Sequence, residues 1–563
     1  MMPAGMFRRS MPTLASISVA VFCVSLACVA AMGPARHLGA TADEGGHIGP
    51  GLQWWIEHRF AYEPLTPPLA RMAVSFLPWM WGFHSQGQPE VWSEARAVIA
   101  NSGDPHLLLL LARIGTLVFL VWSSAAVWLL GRRAGGLATA AAAVACFVTL
   151  PPILGHAGIA TTDIAHTATF ATLIYVFMRF VETPSRRWAL LLGLAGALAL
   201  VTKFTSIVFF PVCVVGLLGW RRIVADRDQP WLPGWQAVTR AMMMSVPVAL
   251  LVIWAVYNFR VGSLLFESPI AGMQTAPLSG RGVWYDLAGL GIYPANEFWR
   301  GLLDGFHRSS GSPPDYLFGR LRPDGTRLFL PVGFLLKTPL HFLLLTLFGI
   351  VIGVTHIRRS RNWAVDAPWI VGLCVIGAAM FSVPHLGVRY ILSAYLFFSV
   401  TAGVAVVAIW NATRMAILGR AAVMAATLWA GFIVIGSRRD YLGWFNLLAG
   451  SDPTWFISGV DTDYGQYGVF LAERLKALGV SHVFLMLTWD PAFPLAYYGI
   501  NHNVPELTRL GVPPFTRLPP DTPVKGWIAI TVESLQNPHF EWLKKFTPVD
   551  KVSYEIYIYH IDQ

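Results

Sequence analysis

Long apolar runs separated by short polar breaks dominate this 563-residue chain. A helical membrane crossing needs about 20 apolar residues, fewer where a segment packs inside a bundle. Eleven segments qualify: 11–32, 107–130, 136–154, 164–181, 188–202, 204–220, 238–257, 330–354, 366–384, 389–410 and 417–436. Three longer stretches, 33–106, 258–329 and 437–563, break this pattern. In the first, Leu52, Trp55, Ile56 and Phe60 recur near helical spacing, which predicts an amphipathic helix on the bilayer surface. Pro64-Leu-Thr-Pro67-Pro68 ends it, and a second surface helix starts at the following Leu-Ala-Arg71. In the third, Val480–Leu487 and Trp527–Val532 read as strands and Gly468–Leu478 as an amphipathic helix. The pattern predicts an α-helical polytopic membrane protein with about 11 transmembrane helices over 1–436, and a small α/β domain over 437–563.

Composition agrees: 55% of residues are hydrophobic and 13% charged, against about 25% charged in soluble domains. The net charge of +10 does not imply nucleic acid. The arginines cluster between spans, not along a basic stripe interleaved with exposed aromatics, so no nucleic-acid partner is expected. Arg8-Arg9, Arg132-Arg133, Arg186-Arg187, Arg221-Arg222, Arg358, Arg359, Arg361, Arg414 and Arg420 fall on one side when every span is counted. This bias predicts a cytoplasmic N-terminus, and an odd span number puts the C-terminal domain outside an inner (plasma) membrane. Arg438-Arg439 are the exception. The first segment is read as an uncleaved span, because its apolar run is long for a signal peptide. Cys23, Cys28, Cys146, Cys213 and Cys374 all lie in apolar runs, so neither disulfides nor a cysteine metal site is expected.

Polar residues stand out against this background. Asp43-Glu44 open the first outer stretch. Two carboxylates there also suit a helix start, through the helix dipole. His156 through Asp163 and His166 join two spans on the same side, and Asp163 and His166 share a helix face at i,i+3. Helix capping by Thr162 or Asp163 is the plain alternative. Lys203, Lys337 and Arg389, followed by Tyr390, sit at the outer ends of spans, against the usual charge bias. Ionisable residues in spans are costly and tend to be functional, although lysine also snorkels to an interface. Cations so placed suit a lipid phosphate through charge-assisted hydrogen bonds. Trp54, Trp55, Trp284, Tyr285, Tyr293 and Trp299 are read as interfacial anchors.

Taken together, these motifs resemble the GT-C superfamily of glycosyltransferases, in particular the bacterial protein O-mannosyltransferase-like and aminoarabinose-transferase-like group. Asp43-Glu44 with Pro67-Pro68-Leu69-Ala70 resembles the group's Asp-Glu and His-Pro-Pro-Leu, with Thr66 in place of the His. His156 to Asp163 resembles its second acidic motif, and Lys203-Phe204-Thr205 its Lys-aromatic-Thr. Phe334–Pro339 and Arg389-Tyr390 resemble later motifs, with Ser393 where Pro is common. Tyr441–Gly450 and Asp461–Gln466 resemble a stretch that usually reads Tyr-Phe-Asn, then Asp-Trp-Gly-Gln, with Tyr464 in place of the Trp.

The resemblance implies inverting transfer of a sugar from a polyprenyl-phosphate carrier to an extracytoplasmic hydroxyl of a glycan, lipid or protein acceptor, among membrane lipids. It implies Asp43 as general base, supported by Glu44 and Asp163. His156, Lys203, Lys337, Arg389 and Tyr390 would bind substrate. No metal and no cofactor is expected. A lipid-linked saccharide or ion transporter is the alternative, since it too would carry intramembrane Asp, Lys and Arg.

Overall fold

The computed structural model describes residues 13–60, 62–224, 232–264, 291–308, 315–360, 363–381, 386–412, 415–488 and 515–562. Arg8, Arg9, Trp284, Tyr285, Arg361, Arg414 and the side chains of Arg358 and Arg359 lie outside the described residues. In chain order the helices are α1 (Thr13–Ala35), α2 (Glu44–Glu57), α3 (Pro68–Trp81), α4 (Val91–Ala100), α5 (Pro105–Gly135), α6 (Leu137–Val148), α7 (Pro151–Ala157), α8 (Asp163–Glu182) and α9 (Arg186–Leu200). There follow α10 (Ser206–Val224), α11 (Trp235–Val256), α12 (Asn296–Arg308), α13 (Phe329–Lys337), α14 (Leu340–Ser360), α15 (Trp363–Ala379), α16 (Leu392–Trp410), α17 (Ala416–Gly436) and α18 (Gly468–Ala477).

All eleven apolar segments fold mainly as helix. Among the described residues, seven helices are long and apolar enough to cross a membrane, or nine when each of two bent pairs counts as one crossing. The bends are 68° between α6 and α7 and 111° between α13 and α14. Both fall at proline, before Pro151-Pro152 and at Pro339, where the ring removes a backbone donor and disfavours a helical predecessor. The remaining two segments, α9 and α15, have 15 and 17 residues. The expected count of 11 is therefore not reached by length and composition. Apolar periodicity marks a helix but does not say whether neighbours cover a short one: α9 packs on α8 and α11, and α15 on α10 and α16.

The bundle is built around α16, which packs against α5, α6, α8, α14, α15 and α17. Small residues let these neighbours approach: a Cβ added at Gly403 would come within 2.7 Å of the Ala143 backbone nitrogen on α6. The predicted first-loop helices are present as α2 and α3. Leu52 and Phe60 are buried in the protein, while Ile56 is exposed and Trp55 is half-buried. Trp55 stacks on Trp79 at 5.0 Å and donates to Met72 O at 2.9 Å, which locks α2 to α3.

Strands β1 (Val261–Ser263) with β2 (Ile292–Pro294), and β3 (Asp315–Leu317) with β4 (Arg320–Arg322), form two small antiparallel pairs in the second long stretch. The C-terminal region carries a five-stranded sheet of β5 (Val483–Met486), β6 (Phe515–Arg517), β7 (Gly526–Thr531), β8 (Asp550–Val552) and β9 (Ile556–Ile561). The strand order is β6-β5-β7-β9-β8: β5 runs parallel to β6 and β7, whereas β9 is antiparallel to β7 and β8. One face, with Val483, Leu485, Ala529 and Ile558, packs on Leu471 and Leu475 of α18. The other, with Ile528, Ile530 and Tyr559, covers Phe540 and Leu543.

The segment 457–467 joins this sheet to the bundle. Glu555, buried at the β9 edge, accepts from Ser458 Oγ and Thr462 Oγ1, each at 2.6 Å. Burial pushes its pKa up to about 8 despite those two donors. A raised carboxylate favours the folded state below the unfolded pKa, and that stability is lost as pH climbs through the folded value. The seam should therefore weaken between about pH 4.5 and pH 8. Glu555→Gln is expected to flatten this dependence, read as hydrogen exchange of residues 550–561 at pH 5 and pH 8. An equal slope in the variant would assign the effect elsewhere.

Candidate active site

Two backbone hydrogen bonds bring the first loop to the joining segment: Gly39 N–H donates to Gln466 O at 3.0 Å and Ala42 N–H to Tyr464 O at 2.9 Å. They set Asp43, just before α2, beside Tyr464. Asp43 Oδ2 accepts from Arg389 Nη1 at 2.8 Å and from the Tyr464 hydroxyl. Arg389 Nη1 also meets that hydroxyl, and its guanidinium lies 4.6 Å from the centre of the Tyr464 ring. Arg389 Nε donates to Leu386 O at 3.1 Å. Asp43 Oδ1 and Arg389 Nη2 make no hydrogen bond to a described residue. Burial raises the Asp43 pKa, but Arg389 and the Tyr464 hydroxyl outweigh it and hold the carboxyl below its usual range.

Glu44, one residue on, is placed differently. Its carboxylate is fully buried and receives Arg113 Nε and Nη2, each at 2.7 Å, Thr41 N at 2.8 Å and Ala160 N at 2.9 Å. All four acceptor positions are used. Arg113 spends its other donors on the carbonyls of Ala35, Leu38 and Gly39. Glu44 clasps the loop in place, and each of its oxygens already accepts two hydrogen bonds.

Asp163 opens α8. Its Oδ1 accepts from Lys203 Nζ at 2.6 Å and its Oδ2 from Thr161 Oγ1 at 3.2 Å. Lys203 also lies 4.6 Å from the centre of the Tyr390 ring, with Arg389 on the same ring at 5.8 Å. His156 is buried nearby, and its Nδ1 has no hydrogen-bond partner among the described residues. His166 instead bonds Thr205 Oγ1 at 3.3 Å and stacks on Phe170, so it does not join Asp163. Lys337 is buried at the end of α13, with Nζ on the carbonyls of Leu442 and Asp461 and 4.1 Å from the centre of the Phe445 ring. These contacts tie the α13–α14 bend to the joining segment.

Asp43, Asp163, Lys203, Arg389 and Tyr390 thus gather in one place, with His156 beside them. Sequence reasoning missed three members. Arg113 is a lone cation inside an apolar run, the very signal used for Lys203. Tyr464 looked like a mere departure from the motif, yet its hydroxyl reaches Asp43. His47, one turn beyond Asp43, is buried and accepts from Arg71 Nε at 3.4 Å. Burial, then Arg71, push its pKa down to about 4, so the imidazole is neutral at physiological pH. Among the described residues, no group of three or more His, Cys, Asp or Glu is arranged to hold a metal ion.

Residues 109–254 match the model of the dolichyl-phosphate-mannose-protein mannosyltransferase family. No curated protein sequence matches the chain. Among solved structures, the chain is similar to the protein O-mannosyltransferase Pmt1-Pmt2 complex of S. cerevisiae bound to the sugar donor, at 12% identity and TM-score 0.52, over 78% of this chain and 92% of that one. It is also similar to the archaeal oligosaccharyltransferase AglB from Archaeoglobus fulgidus, in complex with an inhibitory peptide and a dolichol-phosphate, at 11% identity and TM-score 0.50, over 95% of this chain and 72% of that one. A further similar structure is ArnT from Cupriavidus metallidurans bound to undecaprenyl phosphate, at 13% identity and TM-score 0.49, over 96% of this chain and 97% of that one. At these identities the likeness is one of fold, that of a multi-pass helical membrane protein.

Proposed function

We propose that this chain is an inverting glycosyltransferase of the cell envelope that moves a sugar from a polyprenyl-phosphate carrier to an acceptor hydroxyl on the extracytoplasmic side of the inner membrane. The observation that carries the reading is the pairing of Asp43 and Arg389. One edge of each is fixed by the other and by Tyr464, while Asp43 Oδ1 and Arg389 Nη2 are left for a substrate. The matched family, the dolichol-phosphate named with one similar structure and the sugar donor named with another support the substrate class.

In the proposed step the acceptor oxygen attacks the anomeric carbon and its proton passes to Asp43 Oδ1. The bond from that carbon to the phosphate oxygen breaks, and its electron pair leaves with the polyprenyl phosphate. Negative charge grows on that phosphate, so fixed cations aimed at it favour the transition state over the ground state. Arg389 and Lys203 fill this role. Tyr390 lies under both cations, and His156 Nδ1 offers a further hydrogen bond. Asp163 holds Lys203 in place. Glu44, Arg113 and Lys337 set the backbone around them.

The test is direct. Full-length protein in lipid nanodiscs, given polyprenyl-phosphate sugars, should release free polyprenyl phosphate when a suitable acceptor is present. Arg389→Gln should weaken polyprenyl-phosphate binding about 10- to 100-fold, the loss expected for charge-assisted hydrogen bonds. Unchanged affinity in that variant would remove Arg389 from the phosphate site. Solute uptake without sugar transfer would point to a transporter instead.

A further inference from the structure

Arg438-Arg439 take no part in the site above, and they break the one-sided arginine pattern of the rest of the chain. They stand just past α17, where Arg439 lines a cavity of about 500 Å³. Its walls include Trp429 and Phe432 of α17, the Pro339-Leu340 bend, Phe445, and Tyr554 in the turn between β8 and β9. The cavity is therefore a seam between the membrane bundle and the sheet. The face of α17 beside it points away from the protein: Leu428, Phe432 and Ile435 are 74%, 65% and 63% exposed. On a multi-pass membrane protein, such an apolar face meets acyl chains.

Two polar side chains on the wall, Asn446 and Asp440, are already used. Asn446 donates to Leu335 O at 2.6 Å and Thr338 O at 2.7 Å, and its Oδ1 accepts from Leu448 N at 2.9 Å. Asp440 Oδ1 accepts from Leu442 N at 2.9 Å and Gly443 N at 3.0 Å, and its Oδ2 from the Tyr467 hydroxyl. A hydrocarbon chain needs no polar partner from the apolar side chains beside them. The charge at the mouth is different. Arg439 makes no hydrogen bond or ion pair with a described residue, and the Arg438 guanidinium donates only to Ile435 O at 3.1 Å. Asp440 keeps its charge but spends its oxygens on neutral donors, so the two exposed guanidinium groups leave the rim net positive beside an apolar hole.

We propose that this seam binds one anionic glycerophospholipid, with an acyl chain in the cavity and its phosphate on Arg438 and Arg439. Bound there, the lipid is mortar between α17 and the β8–β9 turn, and it steadies the sheet against the bundle. The site stands apart from the sugar-transfer reading and does not depend on it.

The experiment uses native mass spectrometry of the full-length protein released from nanodiscs of phosphatidylglycerol or phosphatidylcholine. One phosphatidylglycerol should be retained in preference to phosphatidylcholine. The double variant Arg438→Gln/Arg439→Gln should retain about tenfold less, in line with the loss of charge-assisted hydrogen bonds. Gly436→Leu is the second variant: Gly436 lines the cavity, and a Cβ there meets nothing within 4 Å, so the new side chain fills the hole without disturbing the helix. It too should expel the lipid and raise hydrogen exchange at residues 550–556. Equal retention of the two lipids, or retention unchanged in both variants, would overturn the proposal. Loss of added polyprenyl phosphate in the double variant would overturn it as well, by giving the cavity to the donor.

Discussion

Asp43→Asn should cut turnover about 10²- to 10⁴-fold, the usual contribution of a positioned general base, with polyprenyl-phosphate binding and expression intact. The amide keeps the shape and one acceptor oxygen but cannot take up the hydroxyl proton. Because the folded carboxyl titrates below its usual range, the base stays ionised into mild acid. The acid limb of kcat/KM in the free enzyme should then lie below about pH 4. Tyr464→Phe removes one of the hydrogen bonds that favour the charged form, and should move that limb upward. Full activity of Asp43→Asn, or a wild-type acid limb near pH 6, would rule out Asp43 as the base.

The second large effect is on stability. Arg113→Met removes the cation paired with the buried Glu44 carboxylate and the donors to three carbonyls. Breaking a buried pair from one side costs about 3–5 kcal/mol, because the remaining charge stays buried without a partner. The variant should lose its folded fraction in detergent far faster than wild type at a fixed temperature. Adding Glu44→Gln should restore part of the loss, since the stranded charge is then gone. A half-life equal to wild type for Arg113→Met would show that the clasp does not hold the loop. Together the two experiments separate adjacent carboxylates: one should lose chemistry and keep its fold, the other the reverse.

The elements were readable because a membrane forces the pattern. Apolar runs of span length fold as helices, and the short apolar run at Val483–Leu487 contains the strand β5, covered on both faces. Motif order was readable as well: Asp43, Asp163, Lys203 and Arg389 do come together. Direction was not. Glu44 and Asp43 are neighbours in sequence, yet successive positions on a helix start diverge by about 100°, so one faces Arg113 and the other Arg389. Lys337 sits at the expected end of its span, but the 111° bend after it aims the ammonium at two carbonyls. Nothing in composition reports a bend angle. Tyr464 shows the opposite case, where a departure from a motif carried information: a Trp there would offer no hydroxyl to Asp43.

The distances along the chain between partners impose an order of events during synthesis. Arg113 follows Glu44 by 69 residues, Arg389 follows Asp43 by 346, and Tyr464 follows Asp43 by 421. The clasp can close while most of the protein is still unmade, whereas the proposed base stays without either partner until the last helices have inserted. A chain released early would hold its first loop but carry an unpaired Asp43, so the half-built protein is shaped yet silent. Donor lipid would meet a competent site only once the final segment has docked.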